Sequence, residues 1–163
     1  MSATDEMLTA NESFAAGFDK PGLPGPPSRG VAVVACMDAR LDVYRVLGLG
    51  DGEAHVIRNA GGVVTDDVVR SLAVSQRKLA TREVVLLHHT KCGMATFTDD
   101  DFVAELETDT GARPTWAPGT FPDTEQDVRD SVSAVRSSPF LRHTDAVRGF
   151  VYDVDSGALT EVA

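Results

Sequence analysis

The chain has 163 residues, 42% of them apolar, which suffices for one domain with a buried core. Fifteen basic against 25 acidic residues leave a net charge of −10, a surface that repels phosphate backbones and argues against nucleic-acid binding. No apolar run approaches the ~20 residues of a membrane span. The acidic start Ser2-Ala3-Thr4-Asp5-Glu6 is unlike a basic signal peptide, so a cytoplasmic protein with two reduced cysteines is expected.

Residues 4–18 read as a short helix with Thr4 as its cap ahead of Asp5 and Glu6. The stretch from Lys20 through Pro21, Pro24, Pro26 and Pro27 to Ser28 can neither continue a helix nor pair as a central strand. Residues 1–28 are therefore expected to form a helical arm and linker that packs against a partner subunit. Residues 29–163 are expected to form the main domain. Its first strand is Gly30 to Ala35, apolar on both faces as central parallel strands are. Leu41 to Leu49 is a short helix or turn. His55-Val56-Ile57 is a second strand that runs into Arg58-Asn59-Ala60-Gly61-Gly62, where the glycines suit a tight turn or close backbone approach.

Thr65 caps a helix with Asp66 and Asp67 in its first turn and Val68, Leu72 and Leu79 on one stripe. Glu83 to Leu87 is the third strand. Thr98 to Leu106 is a helix opened by acids, Gly111 to Pro122 is a loop holding Trp116 as a packing or interface residue, and Asp123 to Arg136 is a helix. Val147 to Asp153 is a strand, and Asp155-Ser156-Gly157 turns it into a short C-terminal edge hairpin. Alternating strands and helices imply an α/β fold: a mostly parallel central sheet flanked by helices in three layers.

Cys36-Met37-Asp38-Ala39-Arg40 follows the first strand, and His89-Thr90-Lys91-Cys92 follows the third. An open α/β sheet builds its site at the C-terminal ends of its strands. Two thiols and one imidazole converging there make a zinc set with one position to spare, the pattern of a catalytic zinc. Cys36, His89 and Cys92 are the expected metal ligands. His88 is the rival imidazole, read as facing the opposite layer, while His55 and His143 read as solvated surface residues. Asp38 can reach the same metal, and Arg40 can hold its carboxylate in a bidentate pair. Either Asp38 fills the fourth position, or Arg40 holds it away and water enters. Two thiolates weaken the Lewis acid, so the bound water should have a pKa above the ~7 of a three-histidine site, and activity should climb through the mildly alkaline range.

With these residues in hand, the sequence resembles the β-class carbonic anhydrases, most closely their compact actinobacterial and archaeal branch. The resemblance runs from about Gly30 to the C-terminus and is densest at residues 36–40, 53–61 and 89–93. It implies Zn2+, reversible hydration of carbon dioxide to bicarbonate, and a homodimer or dimer of dimers embraced by N-terminal helices. It places the metal ligands at Cys36, His89 and Cys92 and a catalytic dyad at Asp38 and Arg40. One position departs: where plant-type members carry a substrate-binding glutamine, this chain has Gly50. Two other readings share the motifs: a zinc hydrolase of carbon disulfide or carbonyl sulfide, and a non-catalytic module that binds zinc or bicarbonate.

Overall fold

The structure, a computed structural model, describes residues 2–163. Four strands, β1 (Val31–Cys36), β2 (Ala54–Asn59), β3 (Glu83–His89) and β4 (Val147–Tyr152), lie parallel, and β5 (Leu159–Glu161) adds an antiparallel edge on β4. The sheet order is β2-β1-β3-β4-β5. The chain first steps from β1 to β2 on one side, then crosses back to β3 on the other. Strand order thus reverses at β1, and the crevice between the C-terminal ends of β1 and β3 is where such a sheet holds its ligand.

Right-handed crossovers put helices on opposite faces according to the direction of each step. The long helices α3 (Asp66–Lys78) and α5 (Thr124–Ser137) serve the two steps in one direction and share one face. There Val68, Leu72, Val132 and Val135 pack on Ala32, Val34, Val84, Leu86 and Val147. Gly149 in β4 permits this approach, since a Cβ on it would clash with Val128 Cγ1. The other face receives only the one-turn helix α2 (Val43–Val46), with Leu41, Val43 and Phe121 over Val33, Ala35 and Leu87.

Helix α1 (Ala3–Ala16) is capped two residues before the expected Thr4. Ser2, not Thr4, accepts from the Asp5 N–H, and Asp5 accepts from the Ser2 N–H, a reciprocal box that ties up two orphan donors. The helix buries no residue of its own. Its linker is tied down instead: Ser28 and Arg29 donate backbone bonds to Gly52 and Glu53 carbonyls. Helix α4 (Asp99–Thr110) runs one turn beyond the expected Leu106, and Thr98 caps it. The edge hairpin of β4 and β5 forms as expected. Among the described residues no helix is long and apolar enough to cross a membrane.

Candidate metal centre

The ends of β1 and β3 bring Cys36, His89 and Cys92 together, with their donor atoms all within 4.8 Å of one another and each residue buried. The turn after β3 does the steering. Thr90 donates its N–H to the Tyr152 carbonyl at 2.9 Å and accepts the Val154 N–H at 3.1 Å, anchoring the loop on β4. Lys91 then takes a left-handed conformation (φ 55°), uncommon for a side chain of that size, and this turns the chain so that Cys92 faces Cys36. On the β1 side, Gly62 lies against the strand end: a Cβ there would come within 2.8 Å of the Cys36 backbone nitrogen. Its φ of 75° adds a second reason for glycine.

The donor set fits a metal ion. The two sulfurs are 3.9 Å apart, close to the ~3.8 Å edge of a tetrahedron with metal–sulfur bonds of ~2.3 Å and far beyond a disulfide. His89 Nδ1 lies 2.9 Å from the Thr90 carbonyl, to which it donates, so the Nε2 lone pair is free. Nε2 is buried without a hydrogen-bond partner, an orphan that a cation would satisfy. The contact between the two sulfurs lowers the pKa of Cys36, and the same contact together with burial raises that of Cys92.

Asp38 stands beside this set with its Oδ2 3.6 Å from His89 Nε2. Arg40 occupies both of its oxygens. Arg40 Nε and N–H donate to Oδ1 at 2.9 Å each, and Nη2 donates to Oδ2 at 2.7 Å. The guanidinium holds the carboxyl well below the usual carboxylate range. Arg40 Nη2 also donates to the Lys91 carbonyl at 3.1 Å, so one side chain joins the two loops.

A cavity of about 500 Å3 opens onto Cys36, Asp38 and Cys92. Met37, Met94, Phe97, Phe102, Trp116 and Pro118 give it an apolar wall. Of these wall residues only Trp116 stood out in the sequence, as a packing or interface residue; they come from separate loops and helices and share no periodicity. Trp116 is 57% exposed, so it rims this cavity rather than filling a core. A larger surface hollow of about 810 Å3, lined by acids including Asp66, Asp67 and Asp127, holds none of the sulfur or imidazole donors.

The remaining histidines sort by strand alternation. His88 is fully buried on the opposite face of β3, with Nε2 2.6 Å from Asp127 Oδ2 on α5. His55 corrects its expectation as a solvated residue. It is half-buried, and its Nδ1 lies 2.7 Å from Ser75 Oγ, which in turn bonds Thr81 Oγ1 at 2.7 Å. His143 is also half-buried, because its backbone is clasped by the Gln76 amide.

A sheet that reverses order above a Cys-His-Cys cluster and an Asp–Arg pair defines a metal-dependent α/β enzyme of the kind that activates water. Comparison with known proteins makes this specific. The family described as carbonic anhydrase matches residues 31–118. Beta-carbonic anhydrase 1 of Mycobacterium tuberculosis is 59% identical over 162 residues, covering 99% of each chain. A carbon disulfide hydrolase of Acidithiobacillus thiooxidans is 32% identical over 190 residues, covering 98% of this chain and 86% of the other. The crystal structure of carbonic anhydrase from Streptococcus mutans superposes with a TM-score of 0.93 at 41% identity, covering 100% of this chain and 99% of that one. The chain belongs to the β-carbonic anhydrase family, whose members are zinc enzymes.

Proposed function

We propose that this protein catalyses the reversible hydration of carbon dioxide to bicarbonate and a proton, with Cys36, His89 and Cys92 holding the zinc ion and Asp38 and Arg40 forming the catalytic pair. A single observation carries the reading: three buried donors within 4.8 Å of one another, their two sulfurs at the 3.9 Å edge of a tetrahedron, stand beside a carboxylate whose two oxygens are both held by Arg40. Zinc bound by such a set supplies water with a lowered pKa.

The chain's own residues do the rest. Asp38 Oδ2, on the side facing His89, accepts a hydrogen bond from the attacking water and orients it. Arg40 keeps that carboxylate charged and away from the metal, so the fourth position stays open to solvent. The wall of Met94, Phe97, Phe102 and Trp116 suits a substrate that carries no net charge. Gly50 precedes the N-terminal end of β2 and does not line the cavity beside the donor set, so the orienting role falls to Asp38.

Residues 1–28 act as an arm for a second copy of the chain, giving a homodimer or a dimer of dimers. Helix α1 buries nothing in its own subunit, and Met7, Leu8, Phe14 and Phe18 are each at least half exposed. A helix of this length is marginal alone and needs a packing partner. Removing residues 1–28 should lower the number of subunits per particle in size-exclusion chromatography, and an unchanged subunit number would refute the arm. The two unbridged thiols at the centre suit a reducing compartment such as the cytoplasm.

Stopped-flow hydration of carbon dioxide, run beside sulfide release from carbon disulfide, tests the reaction. The zinc-loaded protein should hydrate carbon dioxide far faster than it releases sulfide. The reverse order would transfer the site to the hydrolase reading.

A further inference from the structure

Arg58, the last residue but one of β2, is in register with Ala35, one residue before Cys36. Its side chain crosses the end of β1. Nε donates to the Cys36 carbonyl at 2.9 Å, and Nη2 donates to the Asp38 carbonyl at 2.7 Å. Between those carbonyls the Met37 N–H donates to the Asn59 carbonyl at 2.8 Å. The Asp38 carbonyl takes a second bond from the Leu41 N–H at 3.0 Å. The segment from the sulfur donor to the carboxylate is thus gripped at both ends by one guanidinium and in the middle by the neighbouring strand.

The use of an arginine here is specific. The chain has 25 acidic residues, yet among the described residues no carboxylate forms an ion pair with Arg58. Its charge goes instead to two main-chain carbonyls two residues apart. Only a planar fork can hold both at once, because a lysine ammonium is a single point on a flexible stem.

We infer that Arg58 is a positioning residue that fixes Cys36 and Asp38 relative to each other, so that the sulfur stays on its tetrahedral corner while the carboxylate stays in the grip of Arg40. The inference rests on the metal centre and pair proposed above. Without the fork the Met37 peptide units can rotate, and the ligand and the carboxylate move independently. Misplacement of a reacting group by about 1 Å can cost on the order of a hundredfold in rate.

The test compares Arg58→Ala and Arg58→Lys with Arg129→Ala, which loses only an exposed pair with Glu125. Three quantities are read on zinc-loaded protein: the rate of zinc transfer to a chromogenic chelator, the separate kcat and KM for carbon dioxide, and the response to added methylguanidinium. Both Arg58 variants should release zinc at least about tenfold faster. Their kcat should fall about tenfold or more with KM within about twofold, since the fork holds groups that act in the transition state. Methylguanidinium should restore part of the kcat and slow zinc release in Arg58→Ala but leave Arg129→Ala unmoved. Wild-type zinc release and kcat in Arg58→Lys would overturn the assignment. So would a loss in Arg58→Ala that methylguanidinium leaves untouched. If Arg58→Ala does not fold, Arg58→Lys decides alone on zinc release and kcat. Accelerated zinc release in a protein that lacks hydration activity as wild type would refute the proposed reaction while leaving the bracing role intact.

Discussion

The two faces of the sheet are built differently. On one, α3 and α5 lay Val68, Leu72, Val132 and Val135 over β1, β3 and β4, with Leu72, Leu86 and Val135 fully buried. On the other, a single turn of helix and several loops do the covering, and Val31, Val56, Val85 and Tyr152 stay only partly buried. The chemistry gathers where the strands end beside the thinly covered face: Cys36, Cys92 and Phe121 belong to its cluster. The first face holds the strands at fixed spacing by apolar burial. The second leaves room for a cavity, a metal and a partner subunit. Stability and reactivity should therefore respond to different residues.

The largest effect should come from the donor set. Cys92→Ser replaces a thiolate with a weak oxygen ligand, so zinc content should fall below about one tenth of the wild-type level and hydration should disappear. Metal analysis and stopped-flow assays read both. The catalytic pair comes next. Asp38→Asn or Arg40→Ala should lower turnover by about 10²–10³-fold, in the range of a positioned proton-handling group, while zinc stays bound. Full turnover in either variant would remove the pair from the mechanism.

On the opposite face the expected result inverts. Leu72→Ala should destabilise the fold by about 2–5 kcal/mol in denaturant titrations, because Leu72 is fully buried between α3 and the sheet. Its kcat should stay within about twofold of wild type at temperatures where the variant is folded. A large loss of kcat with little loss of stability would erase the division between the faces.

The smallest effect is the absence of a titration. Arg40 lowers the folded pKa of Asp38, so the stability from this pair is fully present above the ordinary aspartate value of 3.8 and is lost only as pH falls towards the lower folded value. Carbon NMR of the Asp38 carboxyl should show no protonation step as pH drops through 3.8. It follows that Asp38 stays ionised throughout the neutral range, so a rise of activity through the mildly alkaline range would not come from its titration. A midpoint at or above 3.8 would place Asp38 outside the grip of Arg40.

The parts legible from sequence were those with a repeating physical cause. β1 and β3 are largely buried on both faces and therefore read as unbroken apolar runs, residues 31–35 and 84–87, that lead into Cys36 and into His88 and His89. The stripe of Val68 and Leu72 on α3 follows helical spacing. Polar strand residues hid other boundaries. β2 extends to Ala54–Asn59 because Arg58 and Asn59 continue the pairing with β1, although neither looks like a strand residue. β3 continues through His88 and His89, which pair with Val151 and Tyr152. His55 looked solvated because the Ser75 hydroxyl that engages it, itself bonded to Thr81, lies 20 residues away. The bracing by Arg58 depends on strand register, and the wall of Phe97, Phe102 and Trp116 on loop packing, and neither leaves a local pattern in the chain.

X-ray absorption of the purified protein at the zinc edge tests the account most directly. The spectrum should require two sulfurs at about 2.3 Å and one imidazole nitrogen at about 2.0 Å per zinc, completed by a single light atom. Loss of one sulfur in Cys36→Ser and unchanged coordination in Asp38→Asn should accompany it. Fully active protein without zinc, or a wild-type spectrum that fits without two sulfurs, would contradict it.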